Sequence, residues 1–293
     1  MRFRQELKLV TTVAILYVCF VSWGYLQEKI TSTTYTNKDD SLEFRWKYPI
    51  VLNCLMAFAA FCTASLAEFF IRPHDPTPAP IFSFTKPALS CALASPIGYM
   101  ALDFINFPLM ILAKSSKPVP VMLIGILFYG QQYTWFKYLS VVLICGGIIL
   151  FSAFKSHHGD VHRSFLDELT GIALILINLF LDGYTSNQQD YIFHSYRTPS
   201  ETMMKNVNLF QCLFMVAFLV GGLLLWGDGS ELSGAYTMLL HSNQVGYDIL
   251  LFCLCASIGQ LFIFSIMKDF GSLVWITVCS KLLCLKQCLW KSR

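Results

Sequence analysis

The sequence predicts an all-α polytopic membrane protein, and three observations favour this fold class. Of the 293 residues, 55% are hydrophobic and only 13% are charged. A soluble domain of this size carries about twice that charged fraction. The apolar residues also fall into runs of about 20, which is the length of a helix that crosses a bilayer. The connectors between these runs are too short to fold as a soluble catalytic domain.

Nine apolar runs predict nine transmembrane spans, of which the last is incomplete. The predicted spans lie at about 9–26, 49–71, 87–113, 118–134, 137–154, 168–188, 207–226, 248–267 and from 271 onward. Polar connectors are predicted at 27–47, 155–167 and 227–247, and a proline-rich turn at 72–86. The first run continues through bulky Trp23 and Tyr25, which favours a retained span over a cleaved signal peptide. More Lys and Arg residues fall on the N-terminal side than on the other, which favours a cytosolic N-terminus.

The spans divide into two similar sets around the polar joint at 155–167. This plan predicts an inverted or parallel repeat of five spans each, the first at about 8–155 and the second from about 168. Residues 1–278 are therefore expected to form a single transmembrane domain. In the second set of spans, the position equivalent to Lys155 falls near Cys279, which leaves too few residues for a tenth span. The tenth span is therefore expected to be missing, and residues 279–293 are expected to form an atypical tail.

Lys114 and Lys117 are the most specific signal, because they stand in the middle of an apolar run. A lysine at the centre of a span costs about 2.5–3.5 kcal/mol on insertion scales, so the pair requires an anionic partner at least part of the time. The alternative for Lys114 is that its long side chain extends to the membrane interface from the end of the third span.

Pro118 and Pro120 follow the lysines directly and predict a break in the span with a new helix starting there. Ser115 and Ser116 are expected to cap that helix. A helix N-terminus adds partial positive charge and free N–H groups to the two lysines. The segment therefore predicts a site for a phosphorylated molecule inside the bilayer, formed by the two lysines and the two serines.

Four acidic residues lie in or beside apolar runs: Glu68, Asp103, Asp182 and Asp190. Each is predicted to be a proton-coupling carboxylate or a partner for a lysine, and a helix-end carboxylate is an equal alternative for Glu68 and Asp190. For Asp103, which is the most deeply placed, we expect a structural ion pair or a gate. Asp182 is assigned to the same gating or ion-pair class.

Two further polar features interrupt apolar runs. The stretch from Asp182 to Asp190, which contains Gln189, carries side chains that can hydrogen-bond a nucleobase or a sugar. The alternative is a polar cytosolic helix end. Gln260 places one amide inside an apolar run, either as a substrate contact or as a hydrogen bond between packed helices.

Other constellations indicate no metal, cofactor or nucleic-acid site. The run His157–His162 has enough ligand atoms for zinc, but a solvated connector is the better interpretation. Asp39 and Asp40 resemble the acidic pair that binds a metal-bound nucleotide sugar in glycosyltransferases. The sequence predicts no folded domain around them, so they are interpreted as a charged stretch of the connector. The lysines and arginines are scattered, which argues against nucleic acid. The cysteines in apolar runs are interpreted as buried thiols rather than disulfides.

Three segments carry a resemblance to a known family: Lys114–Gly125, Leu181–Asp190 and Gly259–Phe264. They resemble the nucleotide-sugar transporters of the endoplasmic reticulum and Golgi, in the drug/metabolite transporter superfamily. The closest subgroup is the UDP-galactose transporter-related proteins, and the resemblance covers about residues 8–278. Family members usually carry a Thr-Thr-Thr-Arg-Lys run in the ninth span, where this chain has Cys279-Ser-Lys-Leu-Leu283.

The resemblance implies ten spans in two inverted repeats of five helices and a central cavity. It implies antiport of UDP-galactose or UDP-glucose against UMP in the endoplasmic reticulum or Golgi membrane, with phosphate contacts from Lys114 and Lys117. An exchanger of ATP for ADP is an alternative with the same electrostatics, and a membrane-embedded glycosyltransferase acting at Asp39 and Asp40 is a remote one. The expected partners are the nucleotide sugar, a nucleoside monophosphate and the bilayer; a homodimer is left open.

Overall fold

The structure is a computed structural model that describes residues 2–36, 43–71, 79–105, 113–114, 116–155, 165–227, 230–271, 273–276 and 278. Nine α-helices and one two-stranded ribbon occur within these residues. The elements are α1 (Arg2–Ser32), β1 (Tyr35–Thr36), β2 (Glu43–Phe44), α2 (Pro49–Ile71), α3 (Thr85–Phe104), α4 (Pro118–Tyr129), α5 (Trp135–Lys155), α6 (Phe165–Tyr196), α7 (Ser200–Trp226), α8 (Glu231–His241) and α9 (Asn243–Phe270). The predicted all-α fold class is confirmed.

Five of these helices are long and apolar enough to cross a membrane. The five candidate spans are Val10–Thr31, Pro49–Phe70, Leu169–Tyr196, Ser200–Leu225 and Asn243–Phe270. Two shorter apolar helices lie at Pro118–Tyr129 and Trp135–Gly147. Since all five spans lie in one chain, the protein is a multi-pass membrane protein.

Three helix pairs form most of the packing: α3 with α6, α2 with α7, and α1 with α9. The α3–α6 pair is antiparallel and closely packed. Asn178 Nδ2 of α6 donates to the carbonyl of Ala94 at 2.6 Å, and Ser90 Oγ of α3 donates to the carbonyl of Leu181 at 2.8 Å. Where the pair begins on α6, a side chain at Gly171 would collide with Ile105, so the backbones approach closely there.

A polar network closes the bundle at the end where α1 finishes. Lys29 Nζ donates to Asp248 Oδ1 at 2.7 Å, and Tyr35 Oη donates to Asp248 Oδ2 at 3.0 Å. This network joins α1, the ribbon and the first turns of α9. Burial raises the pKa of Tyr35 above its usual value, and the hydrogen bond to the Asp248 carboxylate raises it further. Tyr35 therefore remains a hydrogen-bond donor at neutral pH.

Two connectors contain more structure than the sequence predicts. Helix α1 continues to Ser32, well beyond residue 26, and β1 follows inside the predicted connector 27–47. The connector 227–247 contains α8, which begins after Ser230, whose side chain accepts a hydrogen bond from Ser233 N. Glu231 of α8 accepts the Ile50 N–H at the start of α2 at 3.1 Å. The end of α1 and the whole of α8 are too polar to stand out as apolar runs. Hydropathy alone therefore does not detect helical structure in these two connectors.

Several predicted features lie outside the described residues: Ser115, the Asp39–Asp40 pair, the run His157–His162 and the tail 279–293. The eight cysteines in apolar runs are free thiols. Cys54 of α2 and Cys212 of α7 face each other with their Sγ atoms 3.9 Å apart.

Candidate functional site

Helix α4 begins in the interior of the bundle, beside the middle of α6. It has 12 residues, so it is about 18 Å long and too short to cross the apolar core of a bilayer. A Cβ atom on Gly183 of α6 would lie 3.2 Å from the backbone of both Pro120 and Val121. The absence of a side chain at Gly183 therefore lets the first turn of α4 pack directly on α6. Asn187 Nδ2 fixes the same contact by donating to the Val121 carbonyl at 2.9 Å.

Lys117 forms an ion pair with Asp182 at this helix start. Its Nζ atom lies 3.3 Å from Asp182 Oδ2, and the two side chains are 26% and 29% exposed. Asp182 is the eighteenth residue of the 32-residue helix α6, so the pair lies near its midpoint. The structure thus brings together two residues that the sequence analysis singled out separately. In a low-dielectric interior, each charge reduces the cost of burying the other.

The start of α4 differs from the expected capped terminus with free N–H groups. Lys117 has helical backbone angles, and no side chain caps the helix. Ser116 Oγ instead donates to the carbonyl of Ala113 at 2.6 Å, so the expectation that Ser116 caps α4 is wrong. The reason is that the chain already turns before α4, with Ser116 N bonded to Ala113 O at 3.0 Å. Ser115 lies outside the described residues.

The N–H groups of the first turn of α4 are also occupied. Pro118 and Pro120 have no N–H group. The N–H groups of Val119 and Val121 already bond to carbonyls of the preceding turn, at 2.9 and 3.4 Å. An anion at this helix start would therefore interact with lysine side chains and with the helix dipole rather than with free backbone donors.

Lys114 lies one turn before Lys117, and its side chain is exposed. This position is compatible with both predictions for Lys114, a phosphate contact and an extension to the interface. Its role stays a prediction.

The polar stretch of α6 is part of a continuous helix. Asp182, Thr185, Ser186 and Gln189 follow the i, i+3, i+4, i+7 spacing and so share one face of α6. Thr185 Oγ1 accepts a hydrogen bond from Cys91 Sγ of α3 at 3.8 Å. The hydroxyl groups of Thr185 and Ser186 each donate to a carbonyl four residues earlier, which keeps the polar row within the helix. Gln189 is buried two turns beyond Asp182.

Gln260 belongs to a different contact. Its Oε1 accepts a hydrogen bond from Asn208 Nδ2 at 3.0 Å, which joins α7 to α9. Among the contacts of the described residues, none connects Gln260 with Lys117. The geometry corresponds to the helix-packing alternative, and a substrate contact for Gln260 stays a prediction.

A further ion pair lies between α2 and α7. Lys205 Nζ donates to Glu68 Oε2, and Thr202 Oγ1 donates to Glu68 Oε1 at 2.7 Å. Glu68 is therefore a lysine partner, one of the alternatives that its sequence position left open. Asp190 is buried on α6. Asp103 lies in the last turn of α3, and its side chain is outside the described part of the structure, so its predicted role is untested.

Sequence reasoning did not single out Asn187, Asn208 or Lys205 as parts of polar contacts. A signal for two of them was present, because Lys205 and Asn208 stand three residues apart in an apolar helix and so share a face. Asn187 lay within the polar stretch, but its contact with the α4 backbone depends on tertiary packing. Across the residues that the structure describes, no group of three or more His, Cys, Asp and Glu side chains forms a metal site.

The chain matches the UAA transporter family over residues 8–283. It belongs to this family. The predicted resemblance to nucleotide-sugar transporters is thereby confirmed at family level. The family and the relatives named below are transporters and not enzymes, which removes the glycosyltransferase alternative.

Individual relatives are similar over most of the chain. Adenosine 3'-phospho 5'-phosphosulfate transporter 1 of Homo sapiens is 33% identical over 276 residues, 94% of this chain and 61% of that protein. Solute carrier family 35 member B1 of Xenopus laevis is 34% identical over 269 residues, 91% of this chain and 80% of that protein. UDP-galactose transporter homolog 1 of Aspergillus fumigatus is 30% identical over 313 residues, which cover 93% of this chain and 75% of that protein. The chain thus spans less than two thirds of the human relative's length.

Proposed function

We propose that this protein exchanges a nucleotide sugar, UDP-galactose or UDP-glucose, for UMP across the membrane of the endoplasmic reticulum or Golgi. The observation that carries the proposal is the cationic helix start at Lys117, near the middle of α6. Interrupted helices that end near the midplane are typical of substrate sites in transporters with internal repeats.

The charges at this site suit a polyphosphate. Lys117 is paired with Asp182, so an incoming phosphate finds an ammonium group that is partly buried and held in place. The helix dipole of α4 favours negative charge at the same point. Lys114, one turn earlier, is placed to contribute a second positive charge. A neutral sugar alone would gain nothing from either cation.

The polar face of α6 continues for two turns beyond Asp182 with Thr185, Ser186 and Gln189, which corresponds to about 10 Å of helix. Hydroxyl and amide groups at this distance suit a sugar or a nucleobase attached to the phosphates. Since these side chains are buried and Thr185 contacts Cys91 of α3, the cargo would reach this face only where α3 and α6 move apart. The relative named UDP-galactose transporter homolog 1 supports a uridine nucleotide sugar as the cargo.

An adenine nucleotide is the second candidate cargo. The human relative is named as an adenosine 3'-phospho 5'-phosphosulfate transporter, and it matches almost the whole of this chain. Exchange of ATP for ADP has the same electrostatic requirement. The lysines do not separate these ligands, because each presents several anionic oxygens.

Competition in reconstituted liposomes tests the choice of cargo. Liposomes that contain the protein and internal UMP are supplied with labelled UDP-galactose, and unlabelled UDP-glucose, ATP or adenosine 3'-phospho 5'-phosphosulfate is added outside. We expect UDP-glucose to inhibit uptake strongly and the adenine nucleotides to inhibit weakly. Uptake of labelled adenine nucleotide that uridine compounds do not inhibit would replace the first proposal by the second.

A further inference from the structure

The Lys117–Asp182 pair has a consequence for how the carrier binds and releases its cargo. We propose that Asp182 is a resident counter-ion, which neutralises Lys117 in the empty carrier and which a cargo phosphate must displace. Asp182 thereby lowers the affinity for the cargo and speeds its release. The inference rests on the proposed function, in which Lys117 contacts a phosphate.

The backbone holds Asp182 at the position where an anion is most favourable. Gly183, the next residue, packs against the backbone of Pro120 and Val121 in the first turn of α4. The carboxylate of the neighbouring Asp182 lies 3.3 Å from the ammonium group of Lys117, the residue that precedes the first turn of α4. The dipole of α4 favours negative charge at this end of the helix. A cargo phosphate would seek the same place for the same reason.

Asp182 and the cargo also depend on the same donor. The prolines of α4 supply no N–H group, and the N–H groups of Val119 and Val121 are already bonded. The Lys117 ammonium group has three N–H donors but a single positive charge, which cannot neutralise the Asp182 carboxylate and a cargo phosphate together. Since the two anions also repel each other, binding of the cargo weakens the contact with Asp182, and release of the cargo restores it.

This competition sets the apparent affinity. Some ligands bind only when an internal competitor is displaced. For such a ligand, the apparent affinity is the intrinsic affinity multiplied by the fraction of molecules in which the site is available. The same pair keeps the empty carrier neutral at this point, which avoids an unpaired lysine inside the membrane. A carrier with a weaker counter-ion would hold its cargo longer and turn over more slowly.

The test compares variants of the full 293-residue chain in lipid nanodiscs. Dissociation constants are measured by calorimetry for UDP-galactose, inorganic pyrophosphate and galactose. The variants are Asp182→Asn, Lys117→Gln and the double variant. Glu68→Gln is the matched control, because Glu68 also pairs with a lysine but lies between α2 and α7. Asp182→Ser serves as a second neutral variant if Asp182→Asn does not fold.

We expect Asp182→Asn to bind UDP-galactose and pyrophosphate about tenfold more tightly than the wild type, with Glu68→Gln unchanged within about twofold. Galactose binding should not respond to Asp182→Asn. In the Lys117→Gln background, Asp182→Asn should give a much smaller gain, because the cation for which the anions compete is absent and only the direct repulsion between carboxylate and phosphate is removed. In exchange assays, Asp182→Asn should lower the maximal rate.

The results separate this inference from the proposed function. If Asp182→Asn binds pyrophosphate more tightly but neither protein binds UDP-galactose, the counter-ion role stands and the cargo is wrong. If the wild type binds UDP-galactose and Lys117→Gln does not, but neutral variants at Asp182 bind no more tightly, the cargo stands and the counter-ion role is overturned. Absence of pyrophosphate and nucleotide binding in every variant overturns both.

Discussion

At the scale of residues, Lys117 and Asp182 show how far the sequence alone could lead. The cost of an intramembrane lysine predicted that Lys117 requires an anion, and Asp182 was one of four acidic candidates. The sequence could not choose among the four, because the choice depends on which helices are neighbours. Helix α4 packs beside α6, so the partner comes from α6.

Replacement of Lys117 should separate its binding role from its role in stability. We expect Lys117→Ala to raise the UDP-galactose KM for exchange about tenfold to hundredfold, because a charge-assisted hydrogen bond is lost. Lys117→Arg should raise KM less, although a planar guanidinium does not fully replace a point charge. The measurement is initial exchange rate against UDP-galactose concentration. A wild-type KM in Lys117→Ala would remove the substrate-site assignment.

The same substitution leaves Asp182 without its lysine. We expect Lys117→Ala to lower the free energy of unfolding by about 1–3 kcal/mol, and the double variant Lys117→Ala/Asp182→Asn to recover most of this loss. Thermal unfolding in detergent provides the comparison. Equal stability of the single and double variants would mean that the pair is not coupled in the folded protein.

Tyr35 should support the end of the bundle through its hydroxyl group. Tyr35→Phe removes the donor that lies 3.0 Å from the buried Asp248 carboxylate, which should cost about 1–2 kcal/mol of stability. Tyr25→Phe is the control, because Tyr25 is exposed on α1. Thermal midpoints should fall for the first variant and not for the second. A similar midpoint for both would assign no energetic role to the Tyr35–Asp248 contact.

At the scale of elements, the sequence predicted the helices better than their ends. Apolar runs correctly identified the five candidate spans, whereas the predicted spans at 87–113, 118–134 and 137–154 correspond to helices that are not among these five. In addition, α1 and α6 extend beyond their predicted limits at residues 26 and 188. Hydropathy detects only the part of a helix that lies in lipid. The prolines correctly predicted that a helix starts at residue 118, whereas the cap at Ser116 was wrong because Lys117 continues a preceding turn.

The contact between α4 and α6 should depend on the lack of a side chain at Gly183. A methyl group there would lie within 3.2 Å of two backbone atoms of α4 and 3.0 Å from Ile124, so we expect Gly183→Ala to cost about 1–3 kcal/mol. It should also weaken UDP-galactose binding, because the start of α4 shifts. Thermal unfolding and calorimetry measure the two effects.

Gly221→Ala on α7 is the matched control. A Cβ atom at Gly221 meets no atom within 4 Å, so alanine should be neutral or stabilise the helix by about 0.5–1 kcal/mol. Equal effects at Gly183 and Gly221 would contradict the close approach of α4 and α6.

At the scale of the whole molecule, the three most extensive helix contacts are those of α3 with α6, α2 with α7 and α1 with α9. The sequence predicted two sets of spans but not which helices pack together, because helix pairing depends on tertiary contacts. The repeat of five spans stays a prediction.

Lys117 and Asp182 lie near the middle of α6, and substrate sites of transporters with internal repeats are typically found near the bilayer midplane. In the proposed function, Lys117 holds the phosphate of the nucleotide that the protein carries across the bilayer.

Counterflow through the purified protein in liposomes tests this claim most directly. Labelled UDP-galactose is supplied outside, and uptake is compared between liposomes loaded with UMP and liposomes without nucleotide, for wild type and Lys117→Ala. We predict uptake by the wild type that requires internal UMP and that falls to near background in Lys117→Ala at low substrate concentration. Uptake that is equal in the two proteins would contradict the phosphate-binding role of Lys117, and uptake that is absent from the wild type would contradict the proposed exchange.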